Sequence, residues 1–459
     1  MNRNKKLLWN TTAGIVKQIT VTICGFILPR FLIMYYGSSV NGLISSIAHF
    51  LSFVALLEMG IGPVIQANLY KPLAEKNVDM ISQIVKSAER FYRRIAMIII
   101  GYTGVLVFFM PLIFETEYDW FFTGSLIVII SISTVAQYFF GATYQSLLNA
   151  DQKAYVQLIL QILTILINTI GSIVLIKFGV SIQMVKLLTA LVFLIRPFGQ
   201  MMYVKKNYSI NKNVRLIGEP IKQKWNGFAQ HLSTSICENI DVVLLTFFSN
   251  LQSISIYSVY YSVTFGITSI IMTAAGGLES FFGNMIVKNE NKNLYNSFSY
   301  IEWLIHSGVS VIFSTAATMI LPFVALYTDG VHDAKYIQPV FSITMILAYA
   351  FQCLRIPYFR LIKAAGHFKE TQNGSFISTG INLVLSIVLL PKLGLVGIAI
   401  GTLVAMLFHT LYFVYYLSKN ILYRKAYYFI KNMLIDIVVF TVTYFVMKFI
   451  ITNESVSIM

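Results

Sequence analysis

Thirteen apolar segments, each about 20 residues or longer, divide this sequence of 459 residues. A helix needs about 20 apolar residues to cross the hydrocarbon core of a bilayer. The segments lie at residues 8–36, 40–69, 93–114, 120–148, 154–177, 179–204, 225–249, 253–287, 302–327, 336–360, 372–391, 395–418 and 427–450. Charged residues make up only 12% of the chain, about half the share found in soluble domains. The sequence therefore predicts an all-α polytopic membrane protein.

The basic residues predict which loops face the cytoplasm. With a cytoplasmic N-terminus, alternating spans, and residues within four positions of a span end counted with the adjoining loop, the cytoplasmic segments hold 25 of the 34 lysines and arginines, the outer segments four and the spans five. Such an excess in cytoplasmic loops is the usual signature of membrane topology. Topology therefore accounts for the net charge of +15, and no nucleic-acid partner is needed to explain it.

An internal repeat predicts two similar halves. Asn168 matches Asn382 and Tyr144 matches Tyr358, both at a shift of 214 residues. Each half holds six spans, so the halves share one orientation, as in transporters built from parallel repeats. We predict two parallel six-helix bundles around a central cavity plus at least one extra C-terminal helix. The predicted domains are an N-terminal bundle at 1–204, a basic cytoplasmic linker at 205–224, a C-terminal bundle at 225–418 and an extra transmembrane segment at 419–459.

One cytoplasmic connection has an amphipathic pattern. In residues 72–90, apolar side chains recur at helical spacing and charged side chains occupy the opposite face. This pattern predicts an amphipathic helix suited to the membrane surface.

Five basic residues fall inside predicted spans, where an ionisable side chain costs about 2.5–3.5 kcal/mol at the centre of a helix. They are Lys17, Arg30, Lys186, Arg196 and Arg355. Each of the three arginines stands within two residues of a proline, which frees backbone carbonyls that lipid cannot satisfy. The combination predicts a cationic, water-filled lumen for an anionic substrate. Alternatively, Arg30 and Arg196 extend their side chains to the membrane interfaces.

Acidic residues in the spans suggest coupling or gating. His231, Glu238 and Asp241 share one face of the seventh span. Such a stripe points toward protein or water, and it predicts either binding of a coupling H⁺ or Na⁺ or a structural ion pair. Glu58 and Glu279 lie near the cytoplasmic thirds of the second and eighth spans, where either residue is a candidate for a gating salt bridge.

Motifs for the common membrane enzymes are absent. The sequence has no GxxxxGK[ST] run, no zinc-ligand spacing and no catalytic triad. We therefore predict no enzymatic activity, no metal and no cofactor other than coupling ions. A membrane-embedded glycan polymerase or ligase is the alternative from another class, but such enzymes usually need a large outer loop, and none is predicted here.

The N-terminal third resembles the Wzx-type polysaccharide flippases of the multidrug/oligosaccharidyl-lipid/polysaccharide (MOP) exporter superfamily. The matching residues are Arg30, Gly37, Gly42, EMGIG at 58–62 and LYKPLA at 69–74. The resemblance implies a V-shaped fold of two six-helix bundles in the bacterial cytoplasmic membrane. It also implies transport of undecaprenyl-pyrophosphate-linked repeat units to the outer leaflet for O-antigen or capsule synthesis.

The partners implied by the resemblance are the lipid-linked oligosaccharide, membrane lipids, and a polysaccharide polymerase or glycosyltransferase. Phosphate chemistry fits the intramembrane arginines, because a guanidinium forms charge-assisted, bidentate bonds to phosphate. Two alternatives stay open within this superfamily. A drug or cation antiporter would have a mainly acidic cavity, and a lipid II flippase would share the same physics with a different sugar.

Overall fold

The chain folds into helices throughout the part that the structure describes. The computed structural model describes residues 3–54, 58, 61–114, 117–211 and 228–457, and no strand occurs among them. Within these ranges, eleven helices are long and apolar enough to cross a membrane. The other two predicted spans, 40–69 and 225–249, include residues outside these ranges. The prediction of an all-α, multi-pass membrane protein is confirmed.

Two compact units divide the chain, an N-terminal unit at Met1–Leu232 and a C-terminal unit at Ser233–Met459. The first eight helices are α1 (Arg3–Tyr36), α2 (Ser38–Ser52), α3 (Ile61–Glu75), α4 (Val78–Ile113), α5 (Trp120–Ala136), α6 (Ala142–Ala150), α7 (Tyr155–Lys177) and α8 (Ile182–Asn207). A π-helical turn at Gln137–Gly141 joins α5 to α6. In this unit, α1 packs on α7, α4 packs on α5, and α8 packs on both α5 and α7.

The remaining helices belong mainly to the C-terminal unit. They are α9 (Phe228–Phe248), α10 (Leu251–Ala274), α11 (Leu278–Val287), α12 (Asn291–Tyr327), α13 (Pro339–Leu354), α14 (Ile356–Ala364), α15 (Phe368–Leu393), α16 (Leu395–Asn420) and α17 (Tyr427–Ser457). The closest packing in this unit joins α15 to α16, α16 to α13, and α17 to α12.

The amphipathic segment predicted at 72–90 is helical from Val78 onward, and its place at the membrane surface stays a prediction. From Val78 onward it is the first part of α4, which continues without a break into the third span. Its apolar face is buried, because Ile84 and Ala88 join Ile65 and Leu147 in one core cluster. Apolar residues at helical spacing fit a protein core as well as a membrane surface, so the periodicity alone could not distinguish the two.

The repeat has a counterpart in side-chain contacts. In the N-terminal unit, the hydroxyl of Tyr144 on α6 donates to Oε1 of Glu89 on α4 at 2.9 Å. In the C-terminal unit, the hydroxyl of Tyr358 on α14 donates to Oε1 of Glu302 on α12. The tyrosines lie 214 residues apart and the glutamates 213. The same tyrosine–glutamate bond therefore joins corresponding helices of each unit.

The extra C-terminal helix is anchored to its own unit by polar contacts with α12. Asp436 on α17 accepts a hydrogen bond from Ser310 at 2.7 Å and contacts the ring of His306. Just before α17, Arg424 forms a buried salt bridge with Glu302, with 2.6 Å between Nη2 and Oε1. These contacts fix α17 against the unit.

A charged cluster around Asp151 joins three parts of the N-terminal unit at the predicted cytoplasmic side. Lys6 on α1 and Lys153 in the α6–α7 turn approach its carboxylate to 2.9 and 2.7 Å, and the Tyr208 hydroxyl donates to it at 2.5 Å. Burial acts to raise the pKa of Asp151, but the hydrogen bonds from Lys153, Tyr208 and Lys6 outweigh that effect and lower the pKa below its ordinary 3.8. The folded state therefore favours the ionised carboxylate.

Asp151→Asn is expected to destabilise the protein by about 1.5–3 kcal/mol at neutral pH, the usual range for hydrogen bonds to charged groups. Because folding lowers the pKa, the stabilisation is complete above the ordinary pKa and disappears as the pH falls through the lowered value. Thermal unfolding in detergent between pH 3 and 7 measures both effects. Glu75→Gln is the control, because Glu75 only forms an exposed pair with Lys71, which contributes little to stability. Equal melting curves for the two variants would contradict the assignment.

Candidate functional site

A polar cavity of about 280 Å³ lies inside the N-terminal unit, lined by α5 to α8, the π turn and Glu58. The side chains that line it are unusually rich in amides. The four glutamines are Gln137, Gln145, Gln161 and Gln200. Arg196 and Glu58, both predicted from the sequence as functional residues, line this same cavity. We call it the glutamine cavity.

Arg196 offers unused hydrogen-bond donors to the glutamine cavity. Its Nε donates to Oγ1 of Thr164 at 2.7 Å, and its guanidinium lies 3.9 Å from the ring centroid of Phe193. These contacts fix the plane of the guanidinium. Its two terminal nitrogens have no acceptor among the residues that the structure describes. An anion in the cavity could therefore accept two parallel bonds from Arg196.

Glu58 is held by two tyrosines rather than by a cation. The hydroxyl of Tyr138 donates to its Oε2 at 2.8 Å, and that of Tyr92 approaches its Oε1 at 3.3 Å. Within the described ranges, no ion pair joins Glu58 to Arg196. The cavity therefore presents one carboxylate and one guanidinium to a ligand as separate groups.

The π turn positions part of the amide lining. Gln137 donates from Nε2 to Oε1 of Gln145 at 3.0 Å. A Cβ on Gly141 would lie only 2.7 Å from Oε1 of Gln137, so glycine gives this amide room. Gln200 is 1% exposed, and its Oε1 has no partner among the described residues. A buried acceptor without a partner costs about 1–3 kcal/mol.

A second polar centre surrounds Asp241 inside the C-terminal unit. Asp241, on α9, is 3% exposed. Its Oδ2 accepts hydrogen bonds from Tyr257 at 3.0 Å and Thr402 at 2.8 Å, and its Oδ1 accepts one from Asn382 at 3.3 Å. These donors come from α10, α16 and α15. We call these four residues the Asp241 cluster.

Close packing of α15 and α16 brings two of these donors together. A Cβ on Gly401 would lie 2.3 Å from Oγ of Ser386, and one on Gly397 would lie 2.6 Å from the carbonyl carbon of Leu389. Two glycines four residues apart allow membrane helices to approach closely. Ser386 also donates to Oδ1 of Asn382 at 2.9 Å, which orients that amide toward Asp241.

The Asp241 cluster has the chemistry of a small-cation site. The carboxylate has no cationic partner among the described residues, and a lone buried charge is costly. Hydroxyl, amide and carboxylate oxygens are the ligands that hard cations prefer. In the described ranges, no three or more His, Cys, Asp or Glu residues are grouped so that they could hold a metal ion.

The other predicted cations do not share the glutamine cavity. Lys17 and Arg30 are half-buried on α1 and Lys186 is half-buried on α8. Helix α1 continues through Pro29, so the proline next to Arg30 does not end the helix. Arg355 belongs to the C-terminal unit, where its Nη1 contacts His409 Nδ1. A lumen role for these four residues stays a prediction.

The remaining predicted coupling and gating residues have varied positions. Glu279 lies 3.5 Å from Arg360, measured from Oε2 to Nη1, inside the C-terminal unit. The side chains of His231 and Glu238 lie outside the part of the chain that the structure describes. Only Asp241 of that predicted stripe can be assigned contacts.

Sequence reasoning missed the uncharged members of both centres. Glutamine, threonine and tyrosine are not costly enough in a span to stand out individually, and only the fold brings them together. The repeat did contain one signal, because Asn382 matches Asn168. A second signal was the presence of three glutamines in neighbouring apolar segments, at positions 137, 145 and 161.

No protein-family model and no curated protein matches this sequence. Solved structures do match it. The lipid II flippase MurJ in an inward closed conformation has a TM-score of 0.68 and 16% identity, covering 97% of this chain and 99% of that chain. An inward-facing multidrug resistance MATE transporter of the MOP superfamily has a TM-score of 0.62 and 14% identity, covering 89% and 95%.

A third solved structure has the same fold. The Vibrio cholerae MATE transporter VcmN in its bent form has a TM-score of 0.57 and 13% identity, covering 92% of this chain and 98% of that chain. At such low identity these matches establish the fold alone. The protein is thus a multi-pass membrane protein with the fold of MOP-superfamily transporters and flippases.

Proposed function

We propose that this protein carries undecaprenyl-pyrophosphate-linked oligosaccharide repeat units across the bacterial cytoplasmic membrane for surface polysaccharide synthesis. The observation that supports this most is Arg196, whose terminal nitrogens have no acceptor within the described part of the chain, in a cavity lined by four glutamines. The translocation step would be alternating access, as expected for parallel-repeat transporters. The likeness to the lipid II flippase MurJ supports a lipid-linked substrate.

The chemistry of the cavity favours a polar, partly anionic ligand. Glutamine amides both donate and accept hydrogen bonds, so they suit sugar hydroxyls and acetamido groups. The guanidinium suits a phosphate or a sugar carboxylate. The aromatic rings of Phe193 and Tyr138, which also line the cavity, offer apolar surface for the faces of sugar rings. A purely cationic drug would gain from Glu58 but would be repelled by Arg196.

We further propose that the Asp241 cluster binds the coupling ion, H⁺ or Na⁺. Binding a cation would remove the cost of a buried carboxylate that has no cationic partner. Tyr257, Thr402 and Asn382 each carry an oxygen near the carboxylate that could turn toward Na⁺. A coupling role for Glu238 also stays part of this proposal.

Two other substrates need to be tested beside the proposed one. A lipid II flippase is supported by the match to MurJ, and lipid II also combines a pyrophosphate with sugars. A drug antiporter is supported by the matches to MATE transporters. Its substrates would be organic cations, which do not use the free donors of Arg196.

Reconstituted transport distinguishes these substrates. Proteoliposomes would receive a fluorescent undecaprenyl-pyrophosphate oligosaccharide, fluorescent lipid II or ethidium, and protection from an external quencher would report translocation. We expect protein-dependent translocation of the oligosaccharide lipid at a rate at least several times that of lipid II, and none for ethidium. Ethidium transport without lipid translocation would overturn the proposal, and faster translocation of lipid II would change the substrate.

A further inference from the structure

A cationic pocket of about 520 Å³ opens at the predicted cytoplasmic end of the N-terminal unit, away from the glutamine cavity. It lies between the start of α4, the π turn and the end of α8, and Lys86, Arg93 and Lys205 line it together with Glu89. Both Arg93 and Lys205 are exposed. Glu89 accepts a hydrogen bond from Tyr144 at 2.9 Å. Among the described residues that line the pocket, cationic side chains outnumber carboxylates by three to one, so this lining favours an anion.

An apolar groove of about 560 Å³ runs between α4 and α5 on the same unit. Its walls are apolar except for two hydroxyl side chains, Thr103 and Ser131. Several wall residues are open to the surroundings, including Ile100 at 45% and Val128 at 46% exposure. An exposed, apolar groove between membrane-spanning helices is suited to a hydrocarbon chain.

The cationic pocket and the apolar groove adjoin each other. Phe139 and Phe140, in the π turn, line both of them. The π turn therefore forms the boundary between a positively charged end and an apolar end. A ligand that fills both ends must combine an anionic head with a hydrocarbon tail.

The length of the groove is close to that of one phospholipid acyl chain, which extends across about half of the hydrocarbon core. The α5 side of its wall extends from Val128 to Phe140, which at about 1.5 Å per residue is roughly 18 Å. Half of a hydrocarbon core about 30 Å thick is about 15 Å. The groove therefore fits the acyl chain of an ordinary phospholipid, whereas an undecaprenyl chain is several times longer than needed.

We infer that this combined site binds an anionic glycerophospholipid of the surrounding leaflet. Its phosphate lies among Lys86, Arg93 and Lys205, and one acyl chain lies along α4 and α5 past the π turn. Basic side chains near a membrane surface attract anionic lipids, and the groove adds the apolar contact that holds one lipid in place. The site is separate from the glutamine cavity and the Asp241 cluster, and it does not depend on the proposed transport activity.

Lipid retention measured by native mass spectrometry tests the head and the tail separately. Purified full-length protein would be incubated with dioleoyl-phosphatidylglycerol, with dioleoyl-phosphatidylcholine or with undecaprenyl phosphate. We expect phosphatidylglycerol to be retained in preference to both. Equal retention of phosphatidylcholine would overturn the proposal, and so would preferential retention of undecaprenyl phosphate, which would make the site part of a substrate path.

The head variant combines Arg93→Gln with Lys205→Gln, and its control combines Arg94→Gln with Lys206→Gln. The control residues are the adjacent exposed ones, so the charge change is identical, but they do not line the pocket. The head variant is expected to weaken phosphatidylglycerol retention roughly tenfold or more, and the control less than about twofold. Equal losses in both would mean that general surface charge, not the pocket, attracts the lipid.

The tail variant is Gly104→Leu, and its control is Gly101→Leu. Both glycines lie within α4 with open space at the Cβ position, but only Gly104 lines the groove. Leucine is a better helix former than glycine, so neither change should unfold the protein, and circular dichroism would verify this. Gly104→Leu is expected to abolish phosphatidylglycerol retention and Gly101→Leu to preserve it. Retention by both variants would overturn the assignment of the groove.

Discussion

Replacing Arg196 with alanine is expected to reduce translocation of the oligosaccharide lipid roughly tenfold to a hundredfold, with unchanged protein level. Among the described residues, Arg196 is the only guanidinium that lines the glutamine cavity, and its terminal nitrogens have no acceptors there. A hydrogen bond to a charged group is worth about 1.5–3 kcal/mol, which corresponds to that range of rates if it forms during transport. The proteoliposome assay measures the effect directly.

Arg196→Lys distinguishes substrate binding from simple extension to the membrane interface. Lysine keeps the charge but loses the flat pair of donors and the Nε bond to Thr164. If Arg196 binds an anionic substrate, lysine should recover only part of the rate. If it only extends to the interface, lysine should restore full transport, and the binding role would be wrong.

Gln200→Met serves as a matched change within the same cavity. Methionine has a similar shape and removes the buried Oε1 that lacks a partner, so the free energy of unfolding should stay the same or rise. A fall in transport combined with retained stability would support a ligand contact. Normal transport by both Gln200→Met and Arg196→Ala would contradict the proposed role of the cavity.

The sequence predicted the charged members of each site because charge is costly in a membrane. Glu58 and Arg196 were singled out separately, and the fold brings them to one cavity. Asp241 was singled out as part of a stripe, and its actual partners lie on three other helices. Hydropathy identifies a charged residue in an apolar segment as energetically costly. It does not identify the helix faces that supply the partners of that residue.

The sequence did not predict the uncharged residues of the two sites, with one exception. Repeat matching identified Asn168 and Asn382, and in the structure each accepts a hydrogen bond from the serine one turn later, Ser172 at 3.3 Å and Ser386 at 2.9 Å. Only Asn382 also contacts a carboxylate, that of Asp241. The repeat thus predicts the Ser–Asn hydrogen bond that the two units share. The proposed ion site depends on Asp241, a feature in which the C-terminal unit differs from the N-terminal unit.

Replacing Asp241 with asparagine is expected to abolish the response of transport to an imposed H⁺ or Na⁺ gradient. An amide has nearly the same shape as the carboxylate and can accept from Tyr257 and Thr402, so the fold should survive. It carries no charge, so it neither binds a proton nor offsets the charge of Na⁺. Proteoliposomes with a pH gradient, a Na⁺ gradient or neither would compare the initial rates of wild type and variant.

Asp436→Asn is the control for Asp241→Asn, because it also removes a membrane-embedded carboxylate from the C-terminal unit. Asp436 already has His306 and Ser310 as partners and joins α17 to α12, so the variant should keep its gradient response. Thr402→Val separates the two ions: it removes an oxygen that Na⁺ would use but leaves the carboxylate for a proton. Loss of the Na⁺ response alone would identify Na⁺ as the coupling ion. A full gradient response in Asp241→Asn would instead make the cluster a purely structural link between α9, α10, α15 and α16.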